Sequence, residues 1–211
     1  MAWRNRIEAW EAVYDRLMPD SAHQTTPRLI SRKGVFKGRV VDLSIDHVLL
    51  PNGNETDLEM IRHPGAAVAL PIDTDENGVG HVVLLRQYRH AAGGWLLEVP
   101  GGKLDEGEEP EVCARRELEE EIGLTAGELT ALGAILTTPG FTDEKIWIYI
   151  ARDLTPVEGG RSPESDEVIE VERIPFSDAV VMAANGDIAD AKTVAALLRA
   201  AFYFGADLPA D

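Results

Sequence analysis

Three carboxylates in the stretch GGKLDEGEEPEVCARRELEEEIGL, from Gly101 to Leu124, are spaced to act together: Glu117, Glu120 and Glu121. On a helix at about 100° per residue, Glu117 and Glu121 lie about 40° apart, and Glu120 lies about 60° to the other side of Glu117. Glu119, about 200° from Glu117, points elsewhere. Like charges at this spacing repel, so the cluster is destabilising unless a cation completes it. Carboxylate oxygens select hard divalent ions, Mg²⁺ above all where phosphate shares the site, with Mn²⁺ as the alternative. The competing reading of the same residues is a solvated acidic helix face.

A helix must present these groups, and its limits are written beside them. Pro110 suits the first turn of a helix and Gly123 the residue just past its end. Val112, Leu118 and Ile122 are expected to form the apolar flank toward a core. Before this helix, VFKGRVVDLSI and DHVLLPNGNETDLEMI read as strands, the latter folding about Asn52-Gly53. AAVALPI and HVVLLRQY follow, parted by the turn-rich DTDENGVG, and ALGAILTT, KIWIYIA and VIEVERI complete a β-rich middle. Further helices are expected at 177–184, behind a Ser177 cap, and at 189–202. Strands mixed with two or three helices imply an α+β sandwich, not a doubly wound sheet. Trp3, Ile7, Trp10 and Leu17 recur at helical spacing, predicting a short amphipathic helix that either packs on its own domain or makes a dimer contact.

Composition narrows the partners. The 211 residues, 45% hydrophobic, suffice to bury a core. The net charge of −17 repels nucleic acid and anionic membranes, so a phosphate-bearing ligand needs a local device, a metal or a small arginine cluster. No stretch has the apolar length of a membrane span or signal peptide, and the lone Cys113, read as core packing, excludes an internal disulfide. A cytoplasmic address is expected.

Gly102, five residues, Glu108, seven residues, then Arg116, Glu117, Leu118, any residue, Glu120, Glu121, any residue, Gly123 and Leu124 match the Nudix box at every fixed position. The sequence resembles the Nudix hydrolases, which cleave nucleoside diphosphates linked to another group. The resemblance implies a Nudix-type α/β/α sandwich with a mixed sheet. It implies Glu117 and Glu121 as main metal ligands, Glu120 as a further ligand or water partner, and the Gly101 carbonyl as a backbone ligand. Arg116 and Glu108 would pair to brace the loop into the helix, beside Gly102 and Gly123. Ions so held would neutralise phosphates and lower the pKa of a bound water.

Around the box, RQYR (86–89), WLLEVPGG (95–102) and TTPGFTDE (137–144) resemble the ADP-ribose pyrophosphatase branch and its nucleotide-sugar relatives. Pro139, followed by Gly140, stands 15 residues beyond Leu124, where that branch carries a proline. The resemblance implies that Arg89 and Arg86 meet the pyrophosphate or terminal phosphate. Glu98 is either a satisfied structural carboxylate or a substrate or water contact. The general base would come from the loop GGRSPESDEVIEV, with Glu167 the best match and Glu164 the alternative. The implied reaction is water attack on the pyrophosphate of ADP-ribose, giving AMP and ribose 5-phosphate. The branch also implies a homodimer in which the N-terminal strands complete the partner's nucleotide pocket.

The expected organisation is an N-terminal helix and linker (1–33), an antiparallel β extension (34–62), the Nudix hydrolase domain (63–205) and a tail (206–211). Two rivals stand beside the main reading: a hydrolase of another nucleotide sugar such as GDP-mannose, and a non-catalytic domain that senses a nucleotide and regulates a partner. Against the second, every box glutamate is intact.

Overall fold

The computed structural model of the chain describes residues 26–162 and 168–205. The N-terminal amphipathic helix and both candidate bases, Glu164 and Glu167, lie outside the described residues. The chain divides into two compact units at Arg62/His63.

The first unit is an antiparallel three-stranded sheet of β1 (Arg28–Lys37), β2 (Asp42–Leu49) and β3 (Glu55–Arg62), with β2 in the middle. VFKGRVVDLSI, expected to be one strand, instead spans the β1–β2 turn, where the Gly38 amide donates to the Val41 carbonyl at 2.8 Å. Strand β1 also starts at Arg28, inside the stretch read as linker. The second turn is built on Asn52-Gly53: Gly53 adopts φ 84°, open to glycine at no steric cost, and Asn52 Oδ1 accepts from the Asn54 amide at 3.0 Å.

Asp46 of β2 is buried in this unit. It accepts two bonds from Arg32 at 2.7 and 3.0 Å, a third from the Ser44 hydroxyl at 3.1 Å and another from Arg62. Arg32 chiefly, with Ser44 and Arg62, holds the Asp46 carboxyl down from 3.8 to about 2 against the upward push of burial. A folded value below the unfolded one gives stability that is complete above the unfolded pKa and lost as pH falls through the folded one. The wild type is therefore expected to lose stability steeply between about pH 4 and pH 2, whereas Asp46→Asn starts lower at neutral pH and falls less across that window. Chemical denaturation at a series of pH values checks both slopes.

The second unit is built on a mixed seven-stranded sheet. Its strands are β4 (Ala66–Thr74), β5 (Gly80–Arg89), β6 (Gly94–Glu98), β7 (Gly101–Lys103), β8 (Leu124–Leu136), β9 (Lys145–Pro156) and β10 (Ile169–Pro175). The order is β10-β5-β4-β9-β8, with β4 and β9 parallel and the other pairs antiparallel. Strands β4 and β5 pair only where Ile72–Thr74 meets Gly80–Val82. Beyond that they part: β6 becomes the partner of β5, and β7 that of β4. Residues 98–101 thus thread the split, fixed there by the Ala69 amide donating to the Pro100 carbonyl at 3.1 Å. Neither β6 nor β7 is marked in the sequence by an alternating pattern, and β8 begins seven residues before the stretch read as its strand.

Side-chain alternation divides the core between the two sheet faces. Ala67, Ala69, Val83 and Leu85 meet Cys113, Ala114, Leu118 and Ile122 of the helix after β7. Val68, Leu70, Val82 and Leu84 point the other way, the side on which α2 (Phe176–Asn185) and α3 (Ala191–Tyr203) complete a sandwich. Val112, expected in the apolar flank, is 56% exposed; Cys113 and Ala114 take its place. Helix α2 begins at Phe176 behind Pro175 and has no side-chain cap, so Ser177 sits inside the first turn, where its hydroxyl donates to Asp178.

Candidate active site

The box helix has two parts. Helix α1 (Pro110–Glu117) opens with Pro110, whose missing N–H is not needed there, and a π-helical turn covers Leu118–Ile122 before Gly123 ends it at φ 69°. A regular α-helix was expected throughout. The wider turn keeps Leu118 and Ile122 in the core while Glu121 is buried beside them, and Glu119 stays exposed.

Strand β7 runs against this helix with bare backbone. A Cβ at Gly102 would stand 2.3 Å from Glu117 Oε1, so the glycine leaves room for the carboxylate. The Gly101 amide donates to Glu121 Oε2 at 2.8 Å. Gly101 itself adopts φ 151°, and a Cβ there would meet the Ala67 carbonyl at 2.3 Å and Val68 Cα at 2.7 Å. Neither of those backbone atoms can swing aside. Gly101→Ala is therefore expected to cost about 3 kcal/mol of stability, a fall in melting temperature of about 6–12 °C, read by thermal denaturation.

Arg116 organises the charges. Its Nε and Nη2 make a bidentate pair with Glu108 at 3.0 and 3.1 Å, Nη1 donates to Glu117 at 2.8 Å and Glu120 at 3.1 Å, and Nη2 also reaches the Lys103 carbonyl at 3.1 Å. All five guanidinium N–H donors are engaged, a pattern lysine cannot copy. Arg116 holds the Glu108 carboxyl below its usual range. Cys113 is buried under the same network, its thiol 3.5 Å from the Gly102 and Lys103 carbonyls. Burial, then the charge of Glu117, pushes that thiol up to about 12, which makes it a poor nucleophile.

Among the described residues no three carboxylate, imidazole or thiol groups converge as a metal site. The convergence expected of Glu117, Glu120 and Glu121 is replaced by an arrangement in which Arg116 holds the first two and the Gly101 amide orients the third. The donor set nevertheless fits a hard divalent cation: every candidate donor is oxygen, Glu117 and Glu121 are buried, and glycine backbone faces both.

The second cluster lies where β6 leads into β7. Glu98, 2% exposed, accepts from Arg89 Nε at 2.8 Å and Nη2 at 3.0 Å, and from Lys192. Burial pushes the Glu98 carboxyl up, yet Arg89 and Lys192 together hold it below its ordinary value. Arg89 is thus in an ion pair, as is Arg86, which bridges to Glu172 across the β5–β10 pair. Lys192, Asp190 and Thr193 were missed in the sequence. The signal available was the spacing Asp190-x-x-Thr193, a helix N-cap, since Asp190 accepts from the Thr193 amide at 2.9 Å at the start of α3. Pro139 and Gly140 sit at the exposed tip of the β8–β9 loop, closed by the Thr137 hydroxyl donating to Glu144 at 2.6 Å.

The NUDIX domain family model matches residues 62–197, which holds the box helix, the glycine strand and the Glu98 cluster. The chain belongs to this family. The ADP-ribose pyrophosphatase of Bacillus subtilis (strain 168) is 39% identical over 170 residues, 81% of this chain and 90% of that one. The methanol dehydrogenase activator of Bacillus methanolicus is 38% identical over the same shares. The GDP-mannose pyrophosphatase of Salmonella arizonae is 40% identical over 141 residues, 63% of this chain and 71% of that one. A solved structure, an ADP compounds hydrolase, superposes with TM-score 0.74 at 25% identity, over 87% of this chain and 97% of that one. No helix among the described residues is long and apolar enough to cross a membrane.

Proposed function

We infer that this Nudix chain is a divalent-metal-dependent pyrophosphohydrolase that converts ADP-ribose and water to AMP and ribose 5-phosphate. The observation that carries the reading is the placement of two buried box carboxylates, Glu117 and Glu121, against glycine strand β7, with an ADP-ribose pyrophosphatase similar across most of the chain. Glu117, Glu121 and the Gly101 carbonyl are assigned as ligands of Mg²⁺, or of Mn²⁺ as the alternative, with Glu120 as a further ligand or water partner. The bound ion supplies neutralisation of phosphate charge and a more acidic water. Arg116 and Glu108 keep α1 and β7 in register, and Arg89, with Arg86, meets phosphate oxygens.

The attacking water gives its proton to Glu167, with Glu164 the alternative, both on the β9–β10 connection. That connection leaves β9 beside the box helix, because the Ser162 amide donates to the Glu120 carbonyl at 2.9 Å and the Val157 amide to that of Gly123 at 3.0 Å. A base carried there closes over substrate and excludes bulk water. Loss of turnover in Glu167→Gln but not in Glu164→Gln, with folding intact in both, identifies the base.

A homodimer belongs to the same reading, its N-terminal strands completing the partner's nucleotide pocket. All ten residues of β1 are exposed, Leu29, Ile30, Val35 and Phe36 among them, an apolar surface a second copy would cover. Light scattering of the purified protein distinguishes dimer from monomer. A cytoplasmic address accords with the unpaired, buried Cys113.

Turnover of ADP-ribose, GDP-mannose and other nucleotide sugars, measured side by side with Mg²⁺, tests the assignment. Preference for ADP-ribose supports it, preference for GDP-mannose keeps the chemistry and moves the substrate, and no turnover of any compound favours a regulatory role, the reading suggested by the activator from Bacillus methanolicus.

A further inference from the structure

We propose that Lys192 is a positioning residue: it holds the charge of buried Glu98 so that Arg89 can turn from Glu98 to the pyrophosphate of the substrate. The inference rests on the reading that Arg89 meets that pyrophosphate.

The two cations on Glu98 are not equivalent. The Arg89 side chain, at the end of β5, is 44% exposed, whereas that of Lys192 is 14% exposed. The lysine is also anchored from behind. Its ammonium donates to Asp190 Oδ1 at 2.9 Å, and Asp190 Oδ2 accepts from the Thr193 amide at 2.9 Å and hydroxyl at 2.6 Å. Thr193, fully buried, in turn accepts from the Val99 amide at 2.7 Å. The first turn of α3 therefore grips two successive residues of the segment leading to Gly101, through the Glu98 side chain and the Val99 backbone. Arg89 has no comparable second anchor among the described residues, and its raised basicity, due first to Glu98, has a contribution from Glu121 of the box. The guanidinium is within electrostatic reach of Glu121.

A carboxylate as buried as Glu98 cannot be left bare without a large penalty. With Arg89 as its sole partner, moving the arginine onto a phosphate would strand that charge, and substrate binding would be weakened by the penalty. Lys192 removes it: the ammonium stays on Glu98 and Asp190 while the guanidinium, already fork-shaped for two oxygens, exchanges carboxylate for phosphate. The lysine thus acts on substrate affinity through Arg89, without touching the substrate.

Steady-state kinetics on the full chain with ADP-ribose and Mg²⁺ tests this. Lys192→Met is expected to raise KM about tenfold or more while changing kcat less than about threefold, and Lys192→Arg to recover most of the loss. Arg89→Met raises KM as well, and adding Lys192→Met to it brings little further increase, because both act on one contact. Lys192→Gln keeps a donor for Asp190 without the charge and carries the same expectation should Lys192→Met fail to fold. A Lys192 variant with wild-type KM and a lowered melting temperature overturns the proposal and leaves the lysine a purely structural role. Unchanged KM in Arg89→Met sinks the underlying reading of Arg89; raised KM there with wild-type KM in both neutral Lys192 variants sinks the Lys192 inference alone.

Discussion

Replacing Glu121 by glutamine is expected to cut the turnover of ADP-ribose by about a thousandfold, the equivalent of about 4 kcal/mol of transition-state stabilisation, while the protein stays folded. The two halves of this expectation come from different atoms of one side chain. Glu121 is buried, and its Oε2 accepts from the Gly101 amide at 2.8 Å. A glutamine amide oxygen accepts the same bond, so the tie between the box helix and β7 survives. What is lost is the negative charge, which is what a divalent cation would bind. Turnover at saturating Mg²⁺, with a thermal melt of the same preparation, separates the two. Activity within about tenfold of wild type would mean that Glu121 does not hold the metal, and a collapsed melt would mean that its charge serves the fold.

What could be read in the sequence follows from how far apart the cooperating residues lie. Glu117, Glu119, Glu120 and Glu121 share one helical segment, so helical geometry alone turns Glu119 out to solvent and Glu117 and Glu121 inward. The arrangement that replaces the expected convergence of Glu117, Glu120 and Glu121 depends on Arg116 and the Gly101 amide, which periodicity does not show. Pro110 and Gly123 were legible as helix limits because a fixed φ and a freely left-handed one are properties of single residues. Asn52-Gly53 was legible for the same reason, whereas the turn at residues 38–41 was hidden by apolar residues on both its sides. The Glu98–Lys192 pair, by contrast, joins positions 94 apart and depends on the split between β4 and β5, which no local pattern announces. The partners of the two arginines were hidden in the same way, Arg86 finding Glu172 only because β10 lies beside β5. The π-helical turn also escaped, since helix and π-turn place the same residue types in nearly the same order and differ only in which carbonyl each amide reaches.

Arg116 is the residue at which structure and metal chemistry oppose each other, and removing it should reveal both. Its five donors serve Glu108, Glu117, Glu120 and the Lys103 carbonyl, so one guanidinium restrains three carboxylates that would otherwise repel. Arg116→Met leaves those charges without their shared cation, and the expected loss without divalent metal is about 3 kcal/mol, a fall in melting temperature of about 6–12 °C. Arg116→Lys should fall between, because three donors on a point charge cannot span the bidentate pair with Glu108 and the bonds to Glu117 and Glu120 together. Adding Mg²⁺ then discriminates. If Glu117 and Glu120 face the metal, the ion replaces the missing positive charge, and Mg²⁺ raises the melting temperature of Arg116→Met by more than it raises that of the wild type. An equal rise in both proteins would place the ion beyond the influence of the carboxylates that Arg116 holds. The activity of the rescued variant stays low even so, because Mg²⁺ cannot restore the bidentate pair with Glu108 or the bond from Arg116 to the Lys103 carbonyl of β7, and orientation of the ligands is as much a part of catalysis as their charge.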